Sequence, residues 1–333
     1  MTIDAPALPR EIQVEVTGAC NLRCRMCLVR YRPPLSRQEG SMSFERFRAI
    51  VDALPDLETV TLQGLGEPLM APDLFPMIEY ASARGVRVGF NTNATLLTRA
   101  VGQRLIDAAL DWLCVSVDGA TAATYESIRD GASFAKVRRN LEGFAALMRE
   151  RGATRPALSL VFVAMRRNVG ELPDLVRFAA TCGVTTVRVQ NLSHSFSDTD
   201  PAGAYRDIRE YAAAEALWEG DEVRAAERLF AEATDVAAAL GVKLRLPELE
   251  VAAPVAGAPG CDWPWRSAYV RHDGKVQPCC MLMGGDRAIL GELGTSDFTS
   301  VWDGDAYRAF RTALTTARPP DVCAGCSMYR GVF

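Results

Sequence analysis

Residues 20–27 read CNLRCRMC and come shortly after the first β-rich run of the chain, IQVEVT at residues 12–17. Three thiols within eight residues, Cys20, Cys24 and Cys27, can converge on one iron–sulfur cluster. Three thiolate ligands leave one iron of such a cluster open to bind a substrate or a cofactor. Two other interpretations stay open at this point: chance spacing, or three of four zinc ligands, although no fourth ligand is visible nearby.

Outward from this loop, β-rich runs alternate with amphipathic helical patterns. The predicted strands cover residues 12–17, 58–63, 86–91, 112–117, 157–163 and 185–190. The predicted helices between them cover residues 43–54, 72–84, 98–109, 134–150 and 171–182. This repeat predicts an α/β protein with a parallel sheet and right-handed crossovers. Six such units predict a partial (β/α)6 barrel, whose chemistry lies at the carboxyl ends of its strands.

Short local signals mark the ends of several predicted helices. Ser43 is predicted to cap the helix that follows it, and Asn168 with Glu171 is predicted to do the same for the fifth helix. Gly85 and Gly183 follow helical patterns and precede strands, so we expect both to end helices in the left-handed conformation.

The pattern changes after the sixth strand. Residues 205–240 are rich in Ala, Glu and Arg and predict one or two helices, and VKLRLP at 242–247 predicts a last strand. A Pro/Gly/Ala-rich linker is predicted at 251–260. We therefore expect two domains, the partial barrel with its helical segment at residues 1–250 and a small cysteine-rich domain at residues 251–333.

The composition excludes several classes of protein. The 333 residues carry a net charge of −4, which argues against a nucleic-acid or membrane-surface binder with a basic face. No apolar run reaches the roughly 18 residues of a membrane span, and the N-terminus lacks the hydrophobic stretch of a signal peptide. Ten cysteines beside only two histidines, His194 and His272, disfavour a disulfide-rich secreted fold and a zinc hydrolase with several histidine ligands. We expect a cytoplasmic protein whose thiols stay reduced.

Five of the ten cysteines lie in the predicted C-terminal domain. A hairpin turn predicted at 271–275 brings two of them to one end, and a late CxxC loop supplies two more. The predicted four-thiolate ligand set is Cys261, Cys279, Cys323 and Cys326. Four thiolates suit an iron–sulfur cluster and a zinc ion alike. Cys280, the neighbour of Cys279, is the alternative ligand.

The spacing Cys-x3-Cys-x2-Cys after a first strand resembles the signature of the radical S-adenosylmethionine (SAM) superfamily. Met26 stands where members often have an aromatic residue, and Leu65 replaces the first glycine of their GGEP element. The resemblance implies a 4Fe–4S cluster on Cys20, Cys24 and Cys27 whose open iron chelates SAM. Reductive cleavage of SAM then gives a 5′-deoxyadenosyl radical, which takes a hydrogen atom from the substrate.

The same resemblance extends to the ends of later strands, where polar residues follow in series. It implies that SAM is contacted by Gly66, Glu67, Pro68, Asn91, Asn93, Ser116, Asp118 and Gln190. Any one of these short motifs would more commonly be a structural turn. Because these motifs occur at successive strand ends of one predicted barrel, together they favour a common binding site.

The C-terminal pattern Cys-x12-Gly-x4-Cys with a late CxxC resembles the twitch domain, a shortened SPASM domain. It implies one auxiliary 4Fe–4S cluster. Because the protein supplies all four ligands, this cluster is expected to pass electrons and not to bind substrate. The expected cofactors are therefore SAM and two 4Fe–4S clusters, reduced by a donor such as flavodoxin or ferredoxin.

The cysteine spacing also resembles radical SAM enzymes of aminocyclitol and aminoglycoside pathways, such as 2-deoxy-scyllo-inosamine dehydrogenase and related epimerases. This resemblance implies hydrogen abstraction from a ring carbinol carbon of a small sugar or aminocyclitol, followed by dehydrogenation or epimerisation. Cys182 and Cys280 are candidate hydrogen-atom donors, His194 is a candidate base, and Arg166 is a candidate substrate ligand.

Two other functions stay open. Peptide-modifying radical SAM enzymes share these domains, so the alternative is a maturase of a ribosomal peptide. Only 19 residues precede the first cluster, so we expect no fused peptide-recognition domain. A non-enzymatic scaffold with two zinc ions is the third possibility, and iron and sulfide content separates it from an iron–sulfur enzyme.

Overall fold

The computed structural model describes residues 6–31, 40–217, 222–251, 260–282, 284–294 and 296–333. The strands are β1 (Glu11–Val14), β2 (Thr59–Thr61), β3 (Arg87–Thr92), β4 (Trp112–Ser116), β5 (Ala157–Val163), β6 (Thr186–Gln190), β7 (Lys243–Arg245), β8 (Ser267–Val270), β9 (Lys275–Gln277) and β10 (Gly291–Glu292). The α-helices are α1 (Leu28–Tyr31), α2 (Phe44–Asp52), α3 (Leu74–Ala83), α4 (Arg99–Asp107), α5 (Ala122–Ile128), α6 (Phe134–Glu150), α7 (Leu172–Thr181), α8 (Arg206–Glu215), α9 (Glu222–Leu240), α10 (Trp263–Arg266), α11 (Phe298–Trp302), α12 (Asp305–Leu314) and α13 (Asp321–Ala324).

The described strands form one sheet in the order β10-β9-β8-β1-β2-β3-β4-β5-β6-β7. From β1 to β7 each strand pairs in parallel with the next one along the chain. This order confirms the predicted α/β architecture with six strand–helix units and the predicted last strand, β7. The short helices α1 and α5 were not predicted, because each is too brief to show a helical period.

The cysteine-rich region extends the same sheet. Strand β8 pairs in parallel with β1, with Tyr269 opposite Gln13, and β9 returns antiparallel to β8 as the predicted hairpin. Residues 252–259 of the predicted linker lie outside the described residues, so the boundary between two domains stays a prediction.

The sheet has two different faces because side chains alternate along each strand. Val187 and Val189 of β6 belong to the hydrophobic core that the sheet shares with the helices. We call the opposite side the inner face. On it, the Ser159 hydroxyl donates to the Cys114 thiol at 3.1 Å across β4 and β5. The inner face therefore carries polar side chains beside apolar ones.

Among the described residues no helix is long and apolar enough to cross a membrane.

Several predicted helix boundaries are confirmed. The Ser43 side chain accepts a hydrogen bond from the backbone N–H of Arg46, as an N-cap does. Gly85 and Gly183 follow helices with φ of 75° and 76°, a conformation that favours glycine. These residues fix where the helices end before β3 and β6.

The predicted cap at Asn168 is wrong. Its side chain makes no capping bond. The amide instead accepts from the backbone N–H of Met165 at 2.8 Å, and it donates to the carbonyls of Asp118 and Val163 at 3.1 and 2.9 Å. Asn168 therefore joins the segments that follow β4 and β5, close to the predicted site.

Candidate active site

The first cysteine loop lies beyond β1, at the carboxyl end of the parallel strands. Its backbone is bonded to the segment that follows α5: Arg23 N–H donates to Asp130 O at 3.0 Å, and Arg25 N–H donates to Ile128 O at 2.9 Å. Cys24 is buried, whereas the other two thiols of the loop are partly exposed. These backbone hydrogen bonds hold the cysteine loop against the end of α5 and the residues that follow it.

A second set of bonds ties this loop to the end of β3. Asn93 donates to the side-chain oxygen of Asn21 at 3.0 Å, and Asn21 donates to the Thr95 hydroxyl at 2.8 Å. The Thr95 hydroxyl in turn donates to Asn93 at 2.6 Å. Asn93 therefore positions the cysteine loop, and its predicted contact with SAM stays a prediction.

Glu67 lies buried at the centre of the next loop. Its carboxylate accepts from the Thr92 hydroxyl at 2.7 Å and from the backbone N–H groups of Asn93 and Leu69 at 2.8 and 3.2 Å. Burial raises the pKa of Glu67 despite these bonds. Pro68 then begins a short 3₁₀ turn. The Glu67 carboxylate thus accepts hydrogen bonds from the protein itself, which is a structural role. The sequence alone did not distinguish this role from the predicted contact with SAM.

The glycines before Glu67 allow a close approach of two backbones. A Cβ atom on Gly66 would collide with the carbonyl oxygens of Thr17 and Ala19, and one on Gly64 would collide with the Glu15 side chain. Only glycine fits at these two positions, so the loop lies flat against the segment that leads into Cys20.

Asp118 forms a buried ion pair that the sequence did not predict. Its carboxylate lies 2.7 Å from the Arg129 guanidinium and accepts from Val163 N–H at 2.8 Å. Burial raises the pKa of Asp118. Burial alone would lower the pKa of Arg129, but the charges of Asp118 and Cys24 outweigh it and the net pKa is raised. Asp118 and Arg129 therefore form a charged unit inside the site.

Arg129 also reaches the first cysteine loop, since one guanidinium nitrogen lies 3.9 Å from the Cys24 sulfur. A fixed cation at this position offsets the negative charge of a metal-bound thiolate. Arg129 is the site residue that sequence reasoning missed. Cys24 lies 105 residues away from it along the chain, and no local pattern connects the two.

The remaining predicted SAM contacts lie on the inner face near the strand ends. Asn91, the last residue but one of β3, lies opposite Cys114. Ser116 ends β4 opposite Val161, and Gln190 ends β6. All three alternate with side chains of the hydrophobic core, which places them on the opposite side of the sheet. The structure brings them to the same face, and their contact with SAM stays a prediction.

The second group of cysteines lines an apolar cavity. The four predicted ligands line it, together with side chains of methionine, leucine and aromatic residues: Cys261, Cys279, Cys323, Cys326, Met281, Leu282, Phe310, Leu314, Met328 and Tyr329. Burial raises the pKa of all four thiols, that of Cys326 to about 11. Cys280 does not line the cavity. The cavity therefore offers four sulfur donors in apolar surroundings.

The cavity thiols suit an iron–sulfur cluster. A 4Fe–4S cluster takes one ligand on each of its four irons, and Cys261, Cys279, Cys323 and Cys326 supply four thiolates. Four thiolates are also the ligand set of a structural zinc ion, so the side chains alone suit both groups.

The predicted role of Cys182 as a hydrogen-atom donor is wrong. Cys182 caps the end of α7 and is buried in the core between sheet and helices. It precedes β6, whereas the first cysteine loop lies beyond the opposite, carboxyl end of the strands. Cys182 therefore packs the core and cannot face the substrate. Cys280 lies beside the second cysteine group, and its donor role stays a prediction.

His194 is not available as a base. Its Nε2 donates to the Val322 carbonyl at 2.6 Å and its Nδ1 accepts from Phe196 N–H at 2.8 Å, so both ring nitrogens are occupied. Burial lowers the pKa of His194 to about 4, and the imidazole stays neutral. Arg166 donates to the Ala216 carbonyl at 3.0 Å and so contacts the residue that follows α8. Its predicted contact with substrate stays a prediction.

A buried arginine fastens the segment after β6 to the second cysteine site. Arg287 lies 2.6 Å from the Asp198 carboxylate. The guanidinium carbon is 5.2 Å from the centre of the Phe196 ring and 5.6 Å from that of Tyr205, within range of cation–π attraction. Arg287 and His194 therefore hold the segment after β6 against the C-terminal region that carries the second group of cysteines.

Comparison with known proteins agrees with this geometry. The pattern of the Radical SAM superfamily matches residues 14–179, and that of SPASM, an iron–sulfur cluster-binding domain, matches residues 261–327. The first match contains the three-cysteine loop and the second contains the cavity cysteines. The cofactors are therefore SAM and iron–sulfur clusters, as predicted.

Two proteins with similar sequences align with different fractions of this chain. The tungsten-containing aldehyde ferredoxin oxidoreductase cofactor-modifying protein of Pyrococcus furiosus is 25% identical over 95% of this chain and 87% of its own length. The mycofactocin maturase MftC of Mycobacterium tuberculosis is 34% identical over 60% of this chain. That alignment covers only 48% of MftC, about half of its length.

Among solved structures, SuiB of Streptococcus suis bound to the precursor peptide SuiA has a TM-score of 0.69. It is 14% identical and the match covers 98% of this chain and 71% of SuiB. At this identity the likeness shows the fold alone.

The predicted sugar or aminocyclitol substrate is wrong. It depended on the spacing of the C-terminal cysteines, but the relatives above are named as a cofactor-modifying protein and a maturase. BtrN in complex with AdoMet and 2-DOIA superposes less closely than SuiB, with a TM-score of 0.52 at 16% identity over 93% of this chain and 88% of BtrN. The spacing of the cysteines depends on how the protein holds its clusters. Proteins that act on different substrates can therefore share the same spacing. The chain is a radical SAM enzyme, with a radical SAM domain followed by an iron–sulfur cluster-binding SPASM domain.

Proposed function

We propose that this protein is a radical SAM maturase that modifies a ribosomally made peptide. The observation that carries the proposal is the 34% identity to mycofactocin maturase MftC over 201 residues. A further support is the fold shared with SuiB, which has been solved with its precursor peptide. The substrate is then a peptide and not a free sugar.

In this proposal the first cysteine loop holds the cluster that binds SAM. When bound, the cluster and SAM supply a 5′-deoxyadenosyl radical that removes a hydrogen atom from the substrate. Cys20, Cys24 and Cys27 provide the thiolates. Arg129, held by Asp118, stabilises the negative charge beside Cys24. Because Asn21, Asn93 and Glu67 bond the neighbouring loops together, the site is rigid before the cofactor arrives.

The C-terminal thiols hold the auxiliary cluster in this proposal. Met281, Leu282 and Phe310 line its cavity and keep water away from the ligands. His194 and Arg287 keep the segment after β6 against this site. The predicted division into residues 1–250 and 251–333 then separates the SAM site from the auxiliary site.

The test is to incubate anaerobically reconstituted protein with SAM, a reductant and peptides encoded by short open reading frames that flank its gene. Mass spectrometry follows both 5′-deoxyadenosine and the peptide. We expect a modified peptide in amounts that match 5′-deoxyadenosine. The Cys24→Ala variant should give neither product, and the matched Cys182→Ala variant, which removes a core thiol away from both sites, should give both. Modification of an aminocyclitol with every peptide left unchanged would overturn the proposal.

A further inference from the structure

Two arginines lie side by side on β6 and β7, where β7 is the last strand at one edge of the sheet. Arg188 and Arg245 are direct neighbours in the parallel pairing of these strands. Both side chains are exposed, and exposed Lys243 precedes Arg245 by two residues on the same strand. Three cations therefore lie within a short stretch of one sheet edge.

These cations lie on the inner face. Val187 and Val189, which flank Arg188, belong to the core shared with the helices, and Leu244 packs against the same core. Because side chains alternate along a strand, Arg188 and Arg245 project from the opposite side. That is the face on which the predicted SAM contacts lie.

The arginine pair has no counter-charge among the described residues, where neither side chain is within ion-pair distance of a carboxylate. Other arginines of the site differ: Arg129 is paired with Asp118, and Arg287 with Asp198. Like charges at directly neighbouring positions of a sheet repel each other. An anion between them would remove this repulsion and could accept hydrogen bonds from both planar guanidinium groups.

The pair lies at the level of the reaction site. Val161 of β5 is the register partner of Ser116 on one side and of Arg188 on the other, so Ser116, Val161, Arg188 and Arg245 form one row across four strands. Neighbouring strands are about 4.8 Å apart, so Arg188 is about 10 Å from Ser116 along the row. Gln190 follows Arg188 by two residues on β6, so it lies on the same face and nearer the carboxyl end of the strand. A ligand bound to the row would reach the region where hydrogen abstraction is proposed.

We propose that Arg188 and Arg245 bind a carboxylate of the substrate, with Lys243 adding positive charge. The inference rests on the proposed function, under which the carboxylate belongs to a Glu or Asp side chain close to the modified residue of the peptide. A planar carboxylate matches the geometry of two guanidinium groups, and the exposed edge strand leaves room for the rest of a long substrate.

The experiment uses anaerobically reconstituted holoenzyme with SAM and two fluorescein-labelled peptide pools. The two pools, called the acidic pool and the amide pool, are identical in length and composition except that every Glu and Asp of the first is Gln or Asn in the second. Fluorescence anisotropy measures Kd for the wild type, for the Arg188→Gln/Arg245→Gln double variant, and for Arg228→Gln. Arg228 is an exposed arginine of α9 on the helical side, so this variant loses one charge away from the row. Protoporphyrin IX, a dicarboxylate that is not a peptide, serves as a third probe.

We expect the wild type and Arg228→Gln to bind the acidic pool roughly tenfold more tightly than the amide pool, the value of one charge-assisted hydrogen bond. The double variant should lose that preference while its iron content is unchanged, and added salt should weaken the wild-type preference. Equal binding of both pools by the wild type, or a preference kept by the double variant, would overturn the inference. If protoporphyrin IX alone binds, and does so only with both arginines present, the carboxylate site stands and the proposed peptide function fails.

Discussion

The two cysteine sites of this protein are built in opposite ways. The first takes three thiols from eight consecutive residues and surrounds them with polar bonds and a buried cation, Arg129. The second gathers thiols from three separate segments, from Cys261 to Cys326, around an apolar cavity. A local motif thus supplies the ligands of the first site, and distant residues supply its electrostatics. In the second site the fold itself supplies the ligand geometry. Substitutions should therefore have different consequences at the two sites.

The largest effect is expected for Cys24→Ala, which should abolish SAM cleavage. The variant removes one of three ligands but leaves the auxiliary site intact, so about half of roughly eight iron atoms per chain should remain. Iron and sulfide analysis with chromatographic detection of 5′-deoxyadenosine measures both. Cys182→Ala is the control and should keep full cleavage. SAM cleavage retained in Cys24→Ala would contradict the assignment of this loop.

Next in size is the difference between two adjacent cysteines. Cys279 lines the cavity and Cys280 does not. Cys279→Ala should therefore lose the auxiliary cluster and about half of the iron, whereas Cys280→Ala should keep both. Iron content and the electron paramagnetic resonance signal of the reduced protein report the loss. The reverse result would exchange the two residues as ligands.

The Arg129→Met variant tests the buried cation of the first site. It leaves the Asp118 carboxylate buried without its partner, which costs about 3–5 kcal/mol of the free energy of unfolding. Chemical denaturation followed by circular dichroism measures this loss. The double variant Arg129→Met/Asp118→Asn removes the unpaired charge and should recover part of it. If the single and double variants were equally stable, the ion pair would not be the cause.

The Glu15–His272 pair connects the end of β1 to the C-terminal hairpin, with 2.8 Å between carboxylate and Nδ1. Burial raises the pKa of Glu15, but the hydrogen bond and charge of His272 outweigh it, so the net pKa lies below its usual value. The fold thus favours the ionised carboxylate. This stabilisation is present above the unfolded pKa of about 4.3 and is lost as the pH falls through the lower folded pKa.

His272→Leu should lower the free energy of unfolding at pH 7 by about 1.5–3 kcal/mol, the value of a hydrogen bond to a charged group. Acid destabilisation should begin at a higher pH, because the Glu15 pKa rises without its donor. His272→Asn places an amide near the position of Nδ1 and should keep most of the stability. Unfolding curves between pH 3 and pH 7 measure the shift. Identical curves for wild type and His272→Leu would show that the pair stabilises nothing.

The smallest effect is expected far from both cysteine sites. Ser43→Ala removes the N-cap of α2 and should cost about 1 kcal/mol of stability. Iron content and SAM cleavage should be unchanged, as thermal unfolding and the iron assay together will show. A loss of iron in this variant would mean that general stability, and not the local design of each site, controls cluster loading.

Patterns of hydrophobic residues were sufficient to predict β1 to β7 and the main helices, and turn residues predicted the hairpin around Gly274. They could not predict that β8 pairs with β1, because Gln13 and Tyr269 are far apart in sequence and neither segment carries a signal for the other. The polar partners were missed for the same reason. Arg129 reaches Cys24 across 105 residues, and His272 reaches Glu15 across 257.

The substrate could not be predicted because the strongest motifs describe the cofactors. Thiol spacing follows from the size of a cluster, and the same cluster serves different substrates. The residues suggested for the reaction illustrate the limit: Cys182 and His194 have suitable chemistry, but the first is buried at the wrong end of the sheet and both nitrogens of the second are bonded. Residue type indicates what a side chain can do, and only the fold decides what it faces.

The most direct test of two independently built sites is a Mössbauer spectrum of the variant in which Cys20, Cys24 and Cys27 are all replaced by alanine. We predict a single 4Fe–4S species with about four iron atoms per chain, held by the C-terminal thiols. SAM should neither bind to this cluster nor be cleaved. A variant that carries no iron, or that carries zinc in the C-terminal cavity, would contradict the account.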